Sequence, residues 1–292
     1  MANTTTDSLD DSLDTVVASA RIVREFEGVM PQLVDKVELE EGTGLSWKEV
    51  SFRQLSAQAV TELTELDNPQ TLVDDDLIGT PTVVGIQTLI THRVAARLSK
   101  KAYAKTGQLA QNAIQRKKDE DGLTVLDGGT SLAGAGVTLT SGHIAAGAVR
   151  ITSNATEPGM GPIRTVLHGF QIKDLYDELT ASVGTTEVSA GETARVFREG
   201  FRGSVAGTMV YEDGNITIDG SDDAKGGTFA KMGIVLVQGR NLRRLTREEP
   251  HIGGGATSVF IYDEYVYVER LAGGTTSNFV FELYSDATAP TS

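Results

Sequence analysis

The segment from residue 33 to residue 80 constrains this chain most, because it carries strand patterning without a core of its own. LVDKVELEEG alternates apolar and polar residues, and GLSWKEVSFRQL does so again after Gly42-Thr43-Gly44. Period-two alternation predicts strands and the glycines predict a turn, so residues 33–66 read as a long hairpin. Leu45 and Trp47 fall out of step with Val50 and Phe52, which predicts a one-residue slip at Lys48-Glu49. The stretch is polar for its length and has few large apolar residues. An isolated hairpin is marginal in water. Such an arm makes physical sense lying on another subunit.

The rest of the chain mixes helix and strand. Residues 1–25 read as a polar, acidic arm with a short amphipathic helix in TVVASARIVREFEGV. TPTVVGIQTLITHRVA is rich in β-branched residues and predicts a strand returning toward a helix. The strongest helical run spans 93–121, where Ala95, Leu98, Ala102, Leu109 and Ala113 recur at three- and four-residue steps, interrupted near Gly107. Arg116-Lys117-Lys118 suits a helix C-terminus, and Asp119-Glu120-Asp121 does not, so the helix is expected to stop before Gly122. DGGTSLAGAGVTLTS, at 127–141, reads as a connector.

GHIAAGAVRI then reads as a helix. Ile163, Val166 and Leu167 mark a strand, and Gln171 to Leu179 a helix with Ile172, Leu175, Tyr176 and Leu179 on one face. Two short strands surround GSVAGTMVYEDGNITI, and the apolar strand MGIVLVQG leads into the Arg-rich RNLRRLTRE. The alternating, aromatic-rich FIYDEYVYVERL and SNFVFELYSD read as two antiparallel strands. Helices and strands do not alternate as βαβ units, so the fold class is α+β.

Residue chemistry argues against an enzyme. Cys is absent, which removes disulfides, thiolate metal sites and thiol nucleophiles. The four histidines, His92, His143, His168 and His251, are too scattered for a zinc signature, and His168 reads as a polar turn residue. Nucleophile-elbow, P-loop and dinucleotide fingerprints are missing; Gly134-Ala135-Gly136 and Gly253-Gly254-Gly255 read as flexible connections. Asp74-Asp75-Asp76 and the acidic run Asp219 through Asp223 lack the spacing of a calcium loop, and DGSDDAKGG reads as a solvated turn. No cofactor or metal is expected. The net charge of −14 disfavours broad nucleic-acid binding. The densest basic cluster, Arg240, Arg243, Arg244 and Arg247, is therefore expected to pair with acidic neighbours, including those of another subunit. No run is long and apolar enough for a membrane span, and MANTTTDSLDDSLD is unlike a signal peptide.

The order of segments resembles the major capsid proteins of tailed bacteriophages, the Hong Kong 97-type fold that encapsulins share. The resemblance covers most of the chain from about Glu25 onward and rests on organisation more than on a sharp motif. Residues 33–80 resemble the extended loop. TVVGIQTLITHRVAARLSKKAYAKTGQLAQNAIQRKKDEDGL is similar to the return strand and spine helix, with DEDGLTVLDGG after it. Pro162, Val166, Leu167, His168 and Gln171 fit the strand-turn-helix form that opens the axial domain. GFRGSVAGTMVYEDGNITI and FIYDEYVYVERL resemble later strands of the same fold.

The resemblance implies an N-terminal arm at 1–32, an extended hairpin loop at 33–80, a peripheral domain at 81–135 and 256–292, and an axial domain at 136–255. It implies a structural virion protein that assembles with itself into hexamers and pentamers of an icosahedral shell around double-stranded DNA, bound without sequence specificity. Portal, scaffold and decoration proteins are the further partners, the host cytoplasm the place of assembly, and the virion capsid the destination. The arm is too short to be an internal scaffolding domain, so a scaffold would be separate or absent. Lys48 and Asn278 offer residue types for a covalent cross-link, but nothing places them together. Trp47, Lys48 and Phe52 on the hairpin, with Arg240, Arg243, Arg244 and Arg247, are the candidate inter-subunit contacts. An encapsulin-like compartment or a tail-tube protein is the alternative.

Overall fold

The computed structural model describes residues 25–26, 28–40, 42, 44–62, 69–97, 100–182 and 204–291. Most of the expected N-terminal helix therefore lies outside the described residues. In chain order the elements are α1 (Met30–Leu33), β1 (Asp35–Glu38), β2 (Trp47–Phe52), β3 (Asp74–Gly79), β4 (Thr82–Thr91), α2 (His92–Arg97), α3 (Lys100–Asp127) and β5 (Thr130–Ser131). Then come α4 (Ser141–Thr152), β6 (Ile163–Leu167), α5 (Gly169–Ser182), β7 (Ser204–Val205), β8 (Thr208–Glu212) and β9 (Asp223–Ala230). A 3-10 turn (Lys231–Gly233) leads into β10 (Ile234–Glu249), β11 (Ala256–Glu269) and β12 (Val280–Asp286). The fold is α+β.

Three sheets organise these strands: a four-stranded sheet β1-β10-β11-β4, a six-stranded sheet β5-β12-β9-β6-β8-β7, and the separate pair β2-β3. This pairing corrects several expectations. β1 does not form a hairpin with β2; it runs parallel to β10, with Asp35 opposite Val235 and Glu38 opposite Gln238. The real hairpin joins β2 to β3, Trp47 opposite Gly79 and Phe52 opposite Asp74. Its register is unbroken, so there is no slip at Lys48-Glu49. Trp47 and Phe52 therefore face opposite sides, as period-two geometry requires across an odd separation. The two C-terminal strands are not partners: β11 lies between β10 and β4, whereas β12 pairs with β9 and β5. β10 hydrogen-bonds with β11 and β4 rather than with the 136–230 strands, and β12 joins those strands instead of β11.

The spine helix α3 continues past its expected stop, through Gly122 to Asp127, with no break at Gly107. Glycine in a helix interior costs about 1 kcal/mol against alanine. Here close approach explains it: a Cβ on Gly122 would lie 2.9 Å from the Met30 Cβ and 3.1 Å from the Tyr267 ring. The acidic run also has partners that remove the reason to stop. Asp121 accepts the Tyr265 hydroxyl proton at 2.8 Å and pairs with Lys117 at 2.5 Å, while Glu120 pairs with Arg116 at 3.6 Å.

Helix α3 ties the two large sheets together. Ala110 and Ile114 pack on Val259 and Ile261 of β11, with Ile86 of β4 alongside. Farther along, Leu123 and Leu126 enter a core with Val166, Phe229, Ile234, Leu236, Tyr265 and Val280, drawn from both sheets, and with Met30, Leu33 and Val34. The opposite face of the six-stranded sheet is covered by α4 and α5, through Leu139, Ile144, Leu167, Leu175 and Leu283. The α5 carboxylates reach across to the start of α4, where Glu178 accepts from the Ser141 amide at 2.7 Å and Asp174 from the Leu139 amide at 3.4 Å. Negative charge at a helix N-terminus is favourable. Burial raises the Asp174 carboxyl above its ordinary range.

DGSDDAKGG is only half a turn. Asp219 accepts from the amides of Ser221 at 2.8 Å and Asp223 at 3.1 Å, and from the Tyr284 hydroxyl at 2.7 Å, which lowers its pKa. From Asp223 onward the chain is strand β9, buried at nearly every position.

Candidate assembly surface

Two exposed regions project from this frame. The first is the β2-β3 hairpin. Its inner face, with Trp47, Glu49, Ser51, Asp75 and Leu77, is half-buried; its outer face is exposed. Three apolar side chains stand on the outer face: Val50 at 45% exposure, Phe52 at 67% and Ile78 at 57%. Lys48 is also there, paired with Asp76 at 2.5 Å, with Asp74 opposite Phe52. Leu45, Leu55, Val60, Leu72 and Val73 add exposed apolar surface at either end of the paired strands. Exposed apolar surface of this extent, rimmed by charge, is what interaction surfaces carry.

The hairpin base is fastened by Arg270, just past β11. Its guanidinium donates to both Glu49 oxygens at 3.0 Å, to Asp35 at 2.8 Å and to the Met232 carbonyl at 2.7 Å. These contacts raise the Arg270 pKa against the opposing effect of burial. Arg270, Glu49, Asp75 and Glu157 line a cavity of about 160 Å³ under the hairpin, closed by Leu271 and Phe279. Arg53 adds a two-pronged contact to Asp75, at 2.7 and 3.0 Å, and this lowers the Asp75 pKa. Sequence reading missed Arg270: a single arginine after an aromatic strand carries no signal of three partners so distant along the chain.

The second region is the distal half of β10. From Arg240 to Glu248 every residue is exposed, on both faces of the strand. β1 reaches only Gln238, so beyond it β10 has β11 on one side and no strand on the other among the described residues. All four arginines sit on this edge. Arg240 pairs with Glu264 at 3.8 Å and Arg247 with Glu249 at 3.2 Å. Arg243 and Arg244 have no carboxylate within ion-pair distance among the described residues. Arg243 lies opposite Tyr262 and Leu245 opposite Phe260, whose rings stack at 6.1 Å. Val83, Arg240, Asn241, Arg243, Tyr262 and Glu264 line a shallow cavity of about 210 Å³.

The structure brings Trp47, Lys48 and Phe52 onto one hairpin but on two faces, and the four arginines onto one edge. It does not join the two groups within the chain. His168 is the strand-to-helix turn residue expected. Its Nδ1 accepts from the Phe170 amide at 3.2 Å, its ring meets the Phe170 ring edge-on, and burial lowers its pKa. The neighbouring Gln171, wholly buried, donates to the carbonyls of Ala224 at 3.0 Å and Leu283 at 3.1 Å and accepts from the His168 amide at 3.0 Å.

No family model matches the chain, and no curated protein sequence matches it. The fold nevertheless matches solved structures over nearly its whole length. The capsid of cyanophage P-SCSP1u superposes with a TM-score of 0.69 at 12% identity, covering 96% of this chain and 95% of that one. The capsid of cyanophage Pam1 gives 0.70 at 10% identity, covering 94% and 98%. The structure from Mycobacterium phage Che8 gives 0.66 at 16% identity, covering 91% and 94%. The chain has the fold of these phage capsid subunits.

Proposed function

We propose that this chain is a major capsid subunit, a structural protein that assembles with itself into the icosahedral shell of a tailed phage. The observation that carries this reading is the match, along almost the full length of both chains, to subunits of solved phage capsids. A partial match would leave room for an added catalytic domain; this one leaves little chain unassigned. The exposed regions support the same reading. A hairpin with an apolar outer face, and a sheet edge with two arginines that have no carboxylate partner among the described residues, suit surfaces that are covered in an assembly. In this reading the hairpin of one subunit, with Val50, Phe52, Ile78 and Asp74 outward, lies over a neighbour, and Arg243 and Arg244 meet carboxylates of another copy. A specific contact needs roughly 1,000 Å² or more of buried surface, and a long arm adds area without enlarging the core.

Hexamers and pentamers of this chain would build the shell, with separate scaffold, portal and decoration proteins as further partners. The genome would be held inside without sequence-specific contacts, in keeping with a net charge of −14. Assembly would take place in the host cytoplasm. The domain reading that accompanies this takes residues 1–32 as an arm, 33–80 as an extended loop, 81–135 and 256–292 as a peripheral domain, and 136–255 as an axial domain. Negative-stain electron microscopy of the purified protein, with and without co-expressed scaffold, is the test. Closed shells or capsomer rings are expected. Hollow tubes would overturn the reading in favour of a tail-tube protein, and small monodisperse particles under every condition would overturn assembly itself.

A further inference from the structure

Two buried acids outside the exposed surfaces grip the first described residues of the chain. Asp119 on α3 is 0% exposed and Asp213, in the turn after β8, is 1% exposed. Asp119 accepts from the Met30 amide at 2.9 Å, and Asp213 accepts from the Val29 amide at 3.5 Å. Asn215 bridges the pair: its side-chain amide donates to Asp119 at 2.9 Å and its backbone amide to Asp213 at 2.9 Å. The chain passes so close that a Cβ on Gly28 would lie 2.2 Å from the Asp119 carboxyl carbon. Two fully buried carboxyls, bridged by one asparagine and without an ion pair among the described residues, favour holding a proton.

Among the described residues, no cation is free to compensate the pair. On α3, Arg116 is engaged by Glu25 and Glu120, and Lys118 by Asp263. From β11 come Tyr265, bonded to Asp121, and Tyr267, whose buried hydroxyl has no hydrogen-bond partner among the described residues. Burial raises both tyrosine hydroxyls, with Asp121 adding to the shift of Tyr265 and Asp119 to that of Tyr267, and Asp213 is pushed up to about 7, chiefly by burial and then by Asp119. Glu25, just before the gripped segment, and Glu212 beside Asp213 add only negative charge. No ion pair to Asp119 or Asp213 forms among the described residues.

We propose that Asp119 and Asp213 are a one-proton clamp on residues 28–34, closed while the proton is held and progressively opened as it is lost. The proposal does not depend on the capsid reading. Its sign follows from linkage: the raised acid stays protonated when the segment is docked and ionises near its ordinary value when the segment is out. Opening is therefore least favourable below about pH 4, grows about tenfold per pH unit toward pH 7, and levels off above that.

Hydrogen exchange of the full-length protein between pH 5 and 8, corrected for the intrinsic pH dependence of exchange, reads this directly. Protection of the Val29 and Met30 amides should fall about tenfold per pH unit up to about pH 7 and then flatten, while the β9 amides serve as an internal control. Asp213→Asn, whose amide mimics the neutral acid, should hold protection nearly constant across the range, and Asp119→Asn is the second variant should the first fail to fold. Wild-type protection that is constant between pH 5 and 7 overturns the clamp, as does a variant that keeps the wild-type slope.

Discussion

At the residue scale, polar groups in this core are stitched rather than merely tolerated. Gln171 sits on the strand-to-helix turn and spends its side chain on the carbonyls of β9 and β12 and on the Ser285 hydroxyl at 2.7 Å. Leaving buried acceptors without donors costs about 1–3 kcal/mol each. Gln171→Leu, close in volume but without the amide, should therefore lower unfolding stability by about 2–4 kcal/mol, read from the denaturant midpoint. An unchanged midpoint would mean that water or a rearranged strand replaces the amide. The residue type was visible in the sequence, where Gln171 completes the turn pattern with His168. The reach of its amide nitrogen to three acceptors was not, because they lie more than fifty positions away.

At the element scale, the six-stranded sheet demands small residues where its neighbouring elements come closest. A Cβ on Gly226 of β9 would come within 2.6 Å of the Val166 carbonyl and 2.8 Å of a Leu167 methyl. Backbone cannot yield as a side-chain tip can, so Gly226→Ala should cost near the upper end of the about 1–3 kcal/mol typical of overpacking, measured by thermal unfolding. The β10 edge makes the opposite prediction. Arg243→Glu with Arg244→Glu touches no buried group, so the fold should keep its stability within about 0.5 kcal/mol while shells fail to form in electron micrographs. Most individual elements were legible from periodicity: α4, β6 and α5 lie where spacing put them, and so does the body of the spine helix, though not its end. Pairing was not. Alternation in VELE and in β2 says that both are strands, but a parallel partner two hundred residues away leaves no local trace. The helix end was misread because its acids were weighed against the dipole alone, whereas Lys117 pairs with Asp121 one turn away and Tyr265 and Met30 supply partners only tertiary structure can bring.

At the scale of the whole molecule, one helix and one shared core hold two sheets, and the hairpin stands apart from both. Its paired strands end at Phe52 and resume at Asp74, so residues 54–72 can be removed without breaking a strand register. Replacing them with a short Gly/Ser link should leave unfolding stability nearly unchanged and abolish assembly, judged by circular dichroism melts beside sedimentation. Loss of folding would show that the loop belongs to the subunit's own core. The fastening at Arg270 carries a mechanical consequence. A pull on the hairpin is transmitted through one guanidinium to β1, to the end of β11 and to the turn before β10, and so into the four-stranded sheet at several points at once. Such a joint spreads load as a rivet does, and because it is made of opposite charges it should slip sooner in strong salt or acid than a joint of packed side chains.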